Sequence, residues 1–278
     1  MTLHAAALRY SALLGLLGAL LTLPAVSALL GAPSPPEWSL VARGLVAWPG
    51  AVALLLSLMY LGKAAGGAPE RSLFALGPFA GILLLPYTIF GLLVLLLSRA
   101  RSREPLADPV AAGVWVGGMP LPAGRERMLG LGVGAVLNLC IEFPDLAGVR
   151  AAGIPYRRIP LLDGAAPHPD QLDEAVRWAE EQHRQGRTVY VHCAQGHGRS
   201  ATVATALLVR LGVHADPEAA REAIQAARPG TRLGPAQRAV VARWCAQRGS
   251  VGPTPQLEHV PERDPAHHQE GDRDEQQR

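Results

Sequence analysis

The sequence predicts an α/β fold, with a central, mostly parallel sheet flanked by helices, preceded by about three transmembrane helices. Two patterns predict it. The first hundred residues hold three long runs without Asp, Glu, Lys or Arg. Residues 104–250 then alternate short β-type runs with helical segments, as a parallel sheet built through crossover helices does. The divisions that follow are a membrane region over 1–103, a globular domain over 104–250 and a disordered polar tail over 251–278. With 278 residues, 49% of them hydrophobic, and a mean hydropathy of +0.16, the chain is not a mainly disordered protein. Three scattered cysteines, Cys140, Cys193 and Cys245, exclude a disulfide-stapled scaffold and match no zinc-finger spacing.

The charge-free runs are residues 10–36, 44–62 and 72–98. A helix needs about 20 apolar residues to cross the hydrocarbon core, so each run is long enough. Helices are expected near 11–31, 44–62 and 74–98. Pro24, Pro49, Pro78 and Pro86 are tolerable there, because membrane helices accept kinks when neighbours satisfy the freed carbonyls. Trp38, Trp48, Tyr60 and Tyr87 are candidate interface anchors. Arg99, Arg101 and Arg103 follow the third run and place that end in the cytoplasm. Three spans then put the N-terminus, Arg9, Lys63 and Arg71 outside. A multi-pass integral membrane protein with a cytoplasmic globular domain results. A competing reading takes the first run as a signal peptide with Val26-Ser27-Ala28 as its small-residue site, although only Arg9 charges its start.

In the domain, residues 114–116, 135–140, 156–159 and 188–193 read as strands. Residues 169–183 read as an amphipathic helix. Pro169 suits its first position, and Asp170, Asp173 and Glu174 suit its dipole. Leu172, Ala175, Val176 and Ala179 share a face, and Gly186 ends it. Residues 199–211, 217–227 and 235–247 read as three more helices, the last two with Pro in the first turn. The tail holds seven acidic residues against three Arg and shows no apolar period. Its His267-His268 pair reads as solvated polar sequence. A pI near 9 suggests nucleic acid, but the Arg residues are spread over several helices and no aromatic stripe accompanies them.

The chemistry concentrates in Val191-His192-Cys193-Ala194-Gln195-Gly196-His197-Gly198-Arg199-Ser200, between an apolar strand and an apolar helix. A strand, a glycine-containing loop and a helix N-terminus form an anion site. The amides of Ala194, Gln195, Gly196, His197, Gly198 and Arg199 can converge on one tetrahedral oxyanion. Gly196 and Gly198 let the backbone turn tightly. Arg199 offers a planar guanidinium that grips two phosphate oxygens. Cys193 lies at the start of the loop. Thiols at helix N-termini beside cationic groups ionise at roughly pH 3.5–7.5 instead of about 8.5 and act as nucleophiles.

The HCxxGxxRS pattern resembles the signature of the cysteine-dependent protein tyrosine phosphatases, and within them the dual-specificity branch. The resemblance extends loosely over about residues 112–247. Gly113-Val114-Trp115-Val116-Gly117-Gly118, Val136-Leu137-Asn138-Leu139, and Arg228-Pro229-Gly230 with Gln237 look like further family elements. Rhodanese-like sulfur transferases and arsenate reductases use a related loop. The resemblance implies a dual-specificity phosphatase-like fold and a phosphocysteine intermediate, with no metal or other cofactor. It also implies an acid on a loop about thirty residues before the cysteine. Asp163 stands thirty residues before Cys193 and is the candidate general acid. Asp170 is the competitor, although a place in the first turn of a helix already explains it. Ser200 is expected to donate to the Cys193 sulfur, and His192 to order the loop. His197 lies at the rim, either against a second phosphate or facing solvent. Cys140 reads as a free buried cysteine rather than a disulfide partner of Cys193, and Cys245 as core.

The expected activity is hydrolysis of phosphate monoesters by a membrane-anchored enzyme. Phosphotyrosine, phosphoserine or phosphothreonine on proteins is the first substrate expectation. A lipid phosphate, such as phosphatidylglycerophosphate or a phosphoinositide, is the second. A non-catalytic phosphate-binding receptor is a remote third. The sequence leaves the oligomeric state open.

Overall fold

The computed structural model describes residues 5–29, 40–102 and 104–248; the expected tail, Trp38 and Arg103 lie outside the described residues. Helices α1 (Ala5–Leu29) and α2 (Leu40–Ala64) form an antiparallel pair. Tyr10 stacks on Tyr60 with ring centroids 5.2 Å apart, and Ser11 Oγ lies 3.1 Å from Ser57 Oγ. Further along, Gly18 and Gly50 approach so closely that a Cβ on either would press on the other helix. Small residues at such contacts let apolar helices pack backbone to backbone.

After α2 the chain runs through α3 (Pro69–Phe74), α4 (Pro78–Leu83) and α5 (Leu85–Arg101). The third expected span is therefore not one helix. Gly77 takes a positive φ of 59° between α3 and α4, and Pro78 and Pro86 sit in the first turns of α4 and α5. Proline cannot donate to the preceding turn, so it starts helices rather than continuing them. Among the described residues one helix, over Ala42–Ala64, is long and apolar enough to cross a membrane, not three. The apolar stretch of α1, Ala7–Leu23, is shorter.

The expected sidedness is also corrected. Lys63 at the end of α2 pairs with the buried Glu70 at 2.9 Å and donates to Gln171 Oε1 at 3.0 Å. Arg71 faces Glu174 at 3.5 Å and Asp170 at 3.9 Å. Both cations thus touch the globular domain and lie on its side, not across a membrane from it.

That domain is built on β1 (Ala107–Ala111), β2 (Val114–Gly117), β3 (Val133–Cys140), β4 (Tyr156–Leu161) and β5 (Thr188–His192), in the order β1-β2-β5-β3-β4. β5 is central because Val189, Tyr190 and Val191 are buried on both faces. β2, β5, β3 and β4 run parallel, and only β1 is antiparallel, pairing with β2. The sequence Ala-Asp-Pro-Val-Ala gave no strand signal, and its Pro109 suits an edge strand. Helices α6 (Gly124–Gly130), α7 (Pro169–Arg184), α8 (Arg199–Arg210), α9 (Pro217–Ala227) and α10 (Pro235–Arg248) complete the domain. α8 is buried along nearly its whole length, from Arg199 to Val209. α7 turns Leu172, Ala175, Val176 and Ala179 into the core, as its periodicity predicts. Its N-cap is His168, whose backbone N–H bonds Gln171 Oε1 at 2.9 Å.

Parallel pairing brings the carboxyl ends of β3, β4 and β5 to one edge. Asn138 aligns with His192 and Cys140 with Leu161. The segments that follow these strands, carrying Glu142, Asp163 and Cys193, emerge together there. Open α/β sheets present ligand sites at this edge.

Candidate active site

The loop after β5 curls under Cys193 and enters α8 at Gly198, the N-cap residue. Cys193 is 3% exposed. The Gly196 N–H donates to its Sγ at 3.3 Å, and Ser200 Oγ lies 3.5 Å from it on the first turn of α8. Gly196 takes φ +85°, and a Cβ there would overlap the backbone of Gly117. Only glycine fits that position. The sulfur therefore faces inward N–H and O–H groups at the positive end of a buried helix, an arrangement that stabilises negative charge.

Arg199 is 1% exposed and held from three directions. Its Nη1 donates to Glu142 Oε2 at 2.7 Å and to the Leu161 carbonyl at 3.0 Å. Its Nη2 meets Glu142 Oε1 at 2.6 Å and Asp163 Oδ1 at 3.0 Å. Burial opposes the charge on Arg199, but Glu142 and Asp163 outweigh it, and the pKa lies above the ordinary arginine value. The Nε–H is buried and has no partner among the described residues. An orphaned guanidinium donor beside an anion loop is one that a bound oxyanion would satisfy.

Glu142 was not singled out in the sequence, and it completes this arrangement. Its loop is shaped by Asn138, whose Oδ1 accepts the Cys140 N–H at 2.8 Å and whose Nδ2 donates to the Phe143 carbonyl at 3.1 Å. Arg158 holds the Cys140 and Ile141 carbonyls at 3.0 and 2.8 Å. Thr88 of α5 donates to the Glu142 carbonyl at 2.8 Å. Arg228, buried behind the phosphate-type loop, was noted only as part of a loose pattern. Its guanidinium donates to the carbonyls of Gln195 and Gly196 at 2.7 and 3.1 Å and pairs with Asp108 at 2.8 Å. Arg228 thereby fixes the backbone of Gln195 and Gly196, and the Gly196 N–H points at the Cys193 sulfur.

Asp163 and Cys193 line the same cavity of about 300 Å³, and the Asp163 side chain is 62% exposed at its mouth. Asp170 lies instead in the first turn of α7, exposed and beside Arg71. His192 is buried against Tyr190, and burial pulls its pKa down to about 4, so it is neutral near pH 7. His197 lines the same cavity as Cys193, with its side chain 30% exposed and its Nε2 2.5 Å from Glu104 Oε2. Cys140 and Cys245 are free and buried, and burial raises both thiol pKa values. Among the described residues no group of three or more His, Cys, Asp or Glu is placed to hold a metal.

The rest of the cavity wall comes from the N-terminal helices. Leu14 of α1, Leu56 and Tyr60 of α2, and Tyr87, Phe90 and Val94 of α5 line it opposite Cys193 and Gln195. The N-terminal region is thus part of the site.

The chain is similar to several known proteins. The model of the family described as "Polymorphic toxin system, DSP-PTPase phosphatase" matches residues 122–213. Phosphatidylglycerophosphate phosphatase PTPMT1 of Arabidopsis thaliana is 32% identical over 134 residues, covering 47% of this chain and 40% of that protein. Dual specificity protein phosphatase 12 of Rattus norvegicus is 33% identical over 107 residues, covering 37% of this chain and 31% of that protein. The chain thus spans less than half the length of these two curated relatives. Phosphatidylglycerophosphate phosphatase PTPMT2 of Arabidopsis thaliana is 29% identical over 180 residues, 63% of this chain and 76% of that protein. The crystal structure of PTPMT1 aligns with a TM-score of 0.46 at 29% identity, over 51% of this chain and 94% of that one.

Proposed function

We propose that this chain hydrolyses phosphate monoesters through a phosphocysteine, a reading supported by its similarity, over part of its length, to dual-specificity and PTPMT-like cysteine phosphatases. One observation carries the reading: the Cys193 sulfur lies at a helix N-terminus under Gly196 and Ser200, in one cavity with Asp163. In the first step Sγ attacks phosphorus, an S–P bond forms and the P–O bond to the leaving group breaks. Asp163 gives its proton to the departing oxygen. Arg199 and the amides of residues 194–199 take up charge on the phosphoryl oxygens. In the second step Asp163 removes a proton from water, whose oxygen attacks phosphorus. The S–P bond breaks, sulfur leaves with the electron pair, helped by a hydrogen bond from Ser200, and inorganic phosphate is released. No metal or organic cofactor enters either step.

The substrate reading turns on the cavity wall. A lipid phosphate fits it better than a phosphoprotein, because apolar side chains of α1, α2 and α5 stand where the remainder of the substrate must lie. Relatives named phosphatidylglycerophosphate phosphatases support that choice. The phosphoprotein expectation keeps support from the dual-specificity relatives. Exposed Leu13, Leu16, Leu20, Phe79, Ile82, Phe90 and Leu93 on α1, α4 and α5 suit contact with a bilayer. α1 and α2 are read as a hairpin whose open end lies at the catalytic domain. Arg9, Lys63, Arg71, Arg99 and Arg101 then sit on the domain side and Arg43 on the other, which makes the domain side cytoplasmic.

Phosphate release by the full chain in detergent, from phospholipid monoesters and from phosphopeptides, tests the reading. Faster turnover of the lipid is expected, and preference for the peptides overturns the lipid assignment. Cys193→Ser should abolish release yet still bind vanadate. Retained turnover would rule out the covalent mechanism.

A further inference from the structure

The loop that carries Asp163 is held from the N-terminal helices at residues 162, 163 and 164. Tyr60 of α2, 3% exposed, donates its hydroxyl to the Asp163 carbonyl at 2.8 Å. Glu70 of α3, fully buried, accepts the Leu162 N–H at 3.4 Å and pairs with Lys63 at 2.9 Å. Lys63 also donates to Gln171, whose own amide reaches the Pro160 carbonyl at 3.2 Å. Tyr10, stacked on Tyr60, lies against Gly164, where φ is +66° and a Cβ would meet the Tyr10 ring at 3.1 Å.

Packing alone does not call for this chemistry. Apolar side chains would join α2 to the domain without the desolvation that a buried Lys–Glu pair costs. Tyr60 and Glu70 go instead to backbone atoms of residues 163 and 162, and Lys63 reaches the residue 160 carbonyl through Gln171. The Asp163 carboxylate itself stays largely exposed at the cavity mouth. The contacts therefore fix where the loop stands without engaging the Asp163 carboxylate, whose Oδ1 meets Arg199 at 3.0 Å. A 1 Å misplacement of a catalytic group can cost about a hundredfold in rate.

We propose that Tyr60 and the Lys63–Glu70 pair are positioning residues, which set the acid loop over Cys193 and make the N-terminal helices a working part of the active site. The inference rests on the phosphatase reading with Asp163 as acid. In that reading the acid matters most when the leaving group is poor.

The test uses the full chain in detergent with 4-nitrophenyl phosphate, a good leaving group, and phenyl phosphate, a poor one. Tyr60→Phe should lower kcat for phenyl phosphate about tenfold and for 4-nitrophenyl phosphate less than about twofold, with KM unchanged. Glu70→Gln should shift the same ratio in the same direction and serves if Tyr60→Phe is poorly folded. Adding Tyr60→Phe to Asp163→Ala should cost nothing further on phenyl phosphate. Equal losses on both substrates, or additive losses in the double variant, overturn the proposal. Two controls separate its failure from that of the underlying reading. Activity in Cys193→Ser refutes the phosphocysteine. An Asp163→Ala variant without leaving-group dependence removes the acid and, with it, the role of Tyr60.

Discussion

Glu142 grips Arg199 at two points, 2.7 and 2.6 Å, with both side chains removed from water. The pair fixes the guanidinium plane and leaves the buried Nε–H without a partner among the described residues. Removing one member of such a pair strands the other charge, at a cost of about 3–5 kcal/mol. Because Asp163 still pairs with Arg199, Glu142→Ala should lower the free energy of unfolding by up to that amount and cut kcat/KM at least about tenfold through weaker phosphate binding. A variant with unchanged stability and KM would show that Arg199 is oriented by something else.

Gly196 tests the loop itself. Its φ of +85° and the backbone of Gly117 against its α-carbon leave no room for a side chain. Gly196→Ala should destabilise the domain by about 1–3 kcal/mol. It should also abolish vanadate binding, because the amide now 3.3 Å from the Cys193 sulfur must move. Binding measured by calorimetry at an unchanged affinity would mean that the loop tolerates the shift.

The loop and its flanking strand and helix were legible because they are local: ten consecutive residues carry the turn, the anion site and the helix start. Asp163 was reachable through the spacing of a family pattern. Glu142 and Tyr60 were not, because they meet their partners across 57 and 103 residues. Nothing in Cys140-Ile141-Glu142 shows locally that the carboxylate turns inward. The third charge-free run misled because hydropathy reports length of apolar sequence, whereas Gly77 and the prolines decide whether it stays one helix. Likewise Lys63 and Arg71 read as membrane flanks, and only tertiary contact shows them bound to the domain.

Asp163 and Asp170 separate by chemistry. Asp163→Ala should slow the first step far more for phenyl than for 4-nitrophenyl phosphate, by about a hundredfold against a few fold. Asp170→Ala removes a carboxylate from the first turn of α7 and should cost within about 1 kcal/mol of stability, with no dependence on leaving group. Measured kcat over a series of aryl phosphates decides between them, and a steepened dependence in Asp170→Ala would reverse the assignment.

His192 gives the pH dependence of folding. Burial lowers its pKa from 6.5 to about 4, so between these values the unfolded chain binds a proton that the folded one does not. Stability therefore rises with pH through this window and falls as pH drops below about 6.5, with the full loss reached near pH 4. A depression of this size corresponds to about 3 kcal/mol. Unfolding midpoints of the full chain in detergent should fall over that window, and His192→Gln should flatten the curve by the corresponding amount. A wild-type profile that the substitution leaves unchanged would show that another group carries the acid sensitivity.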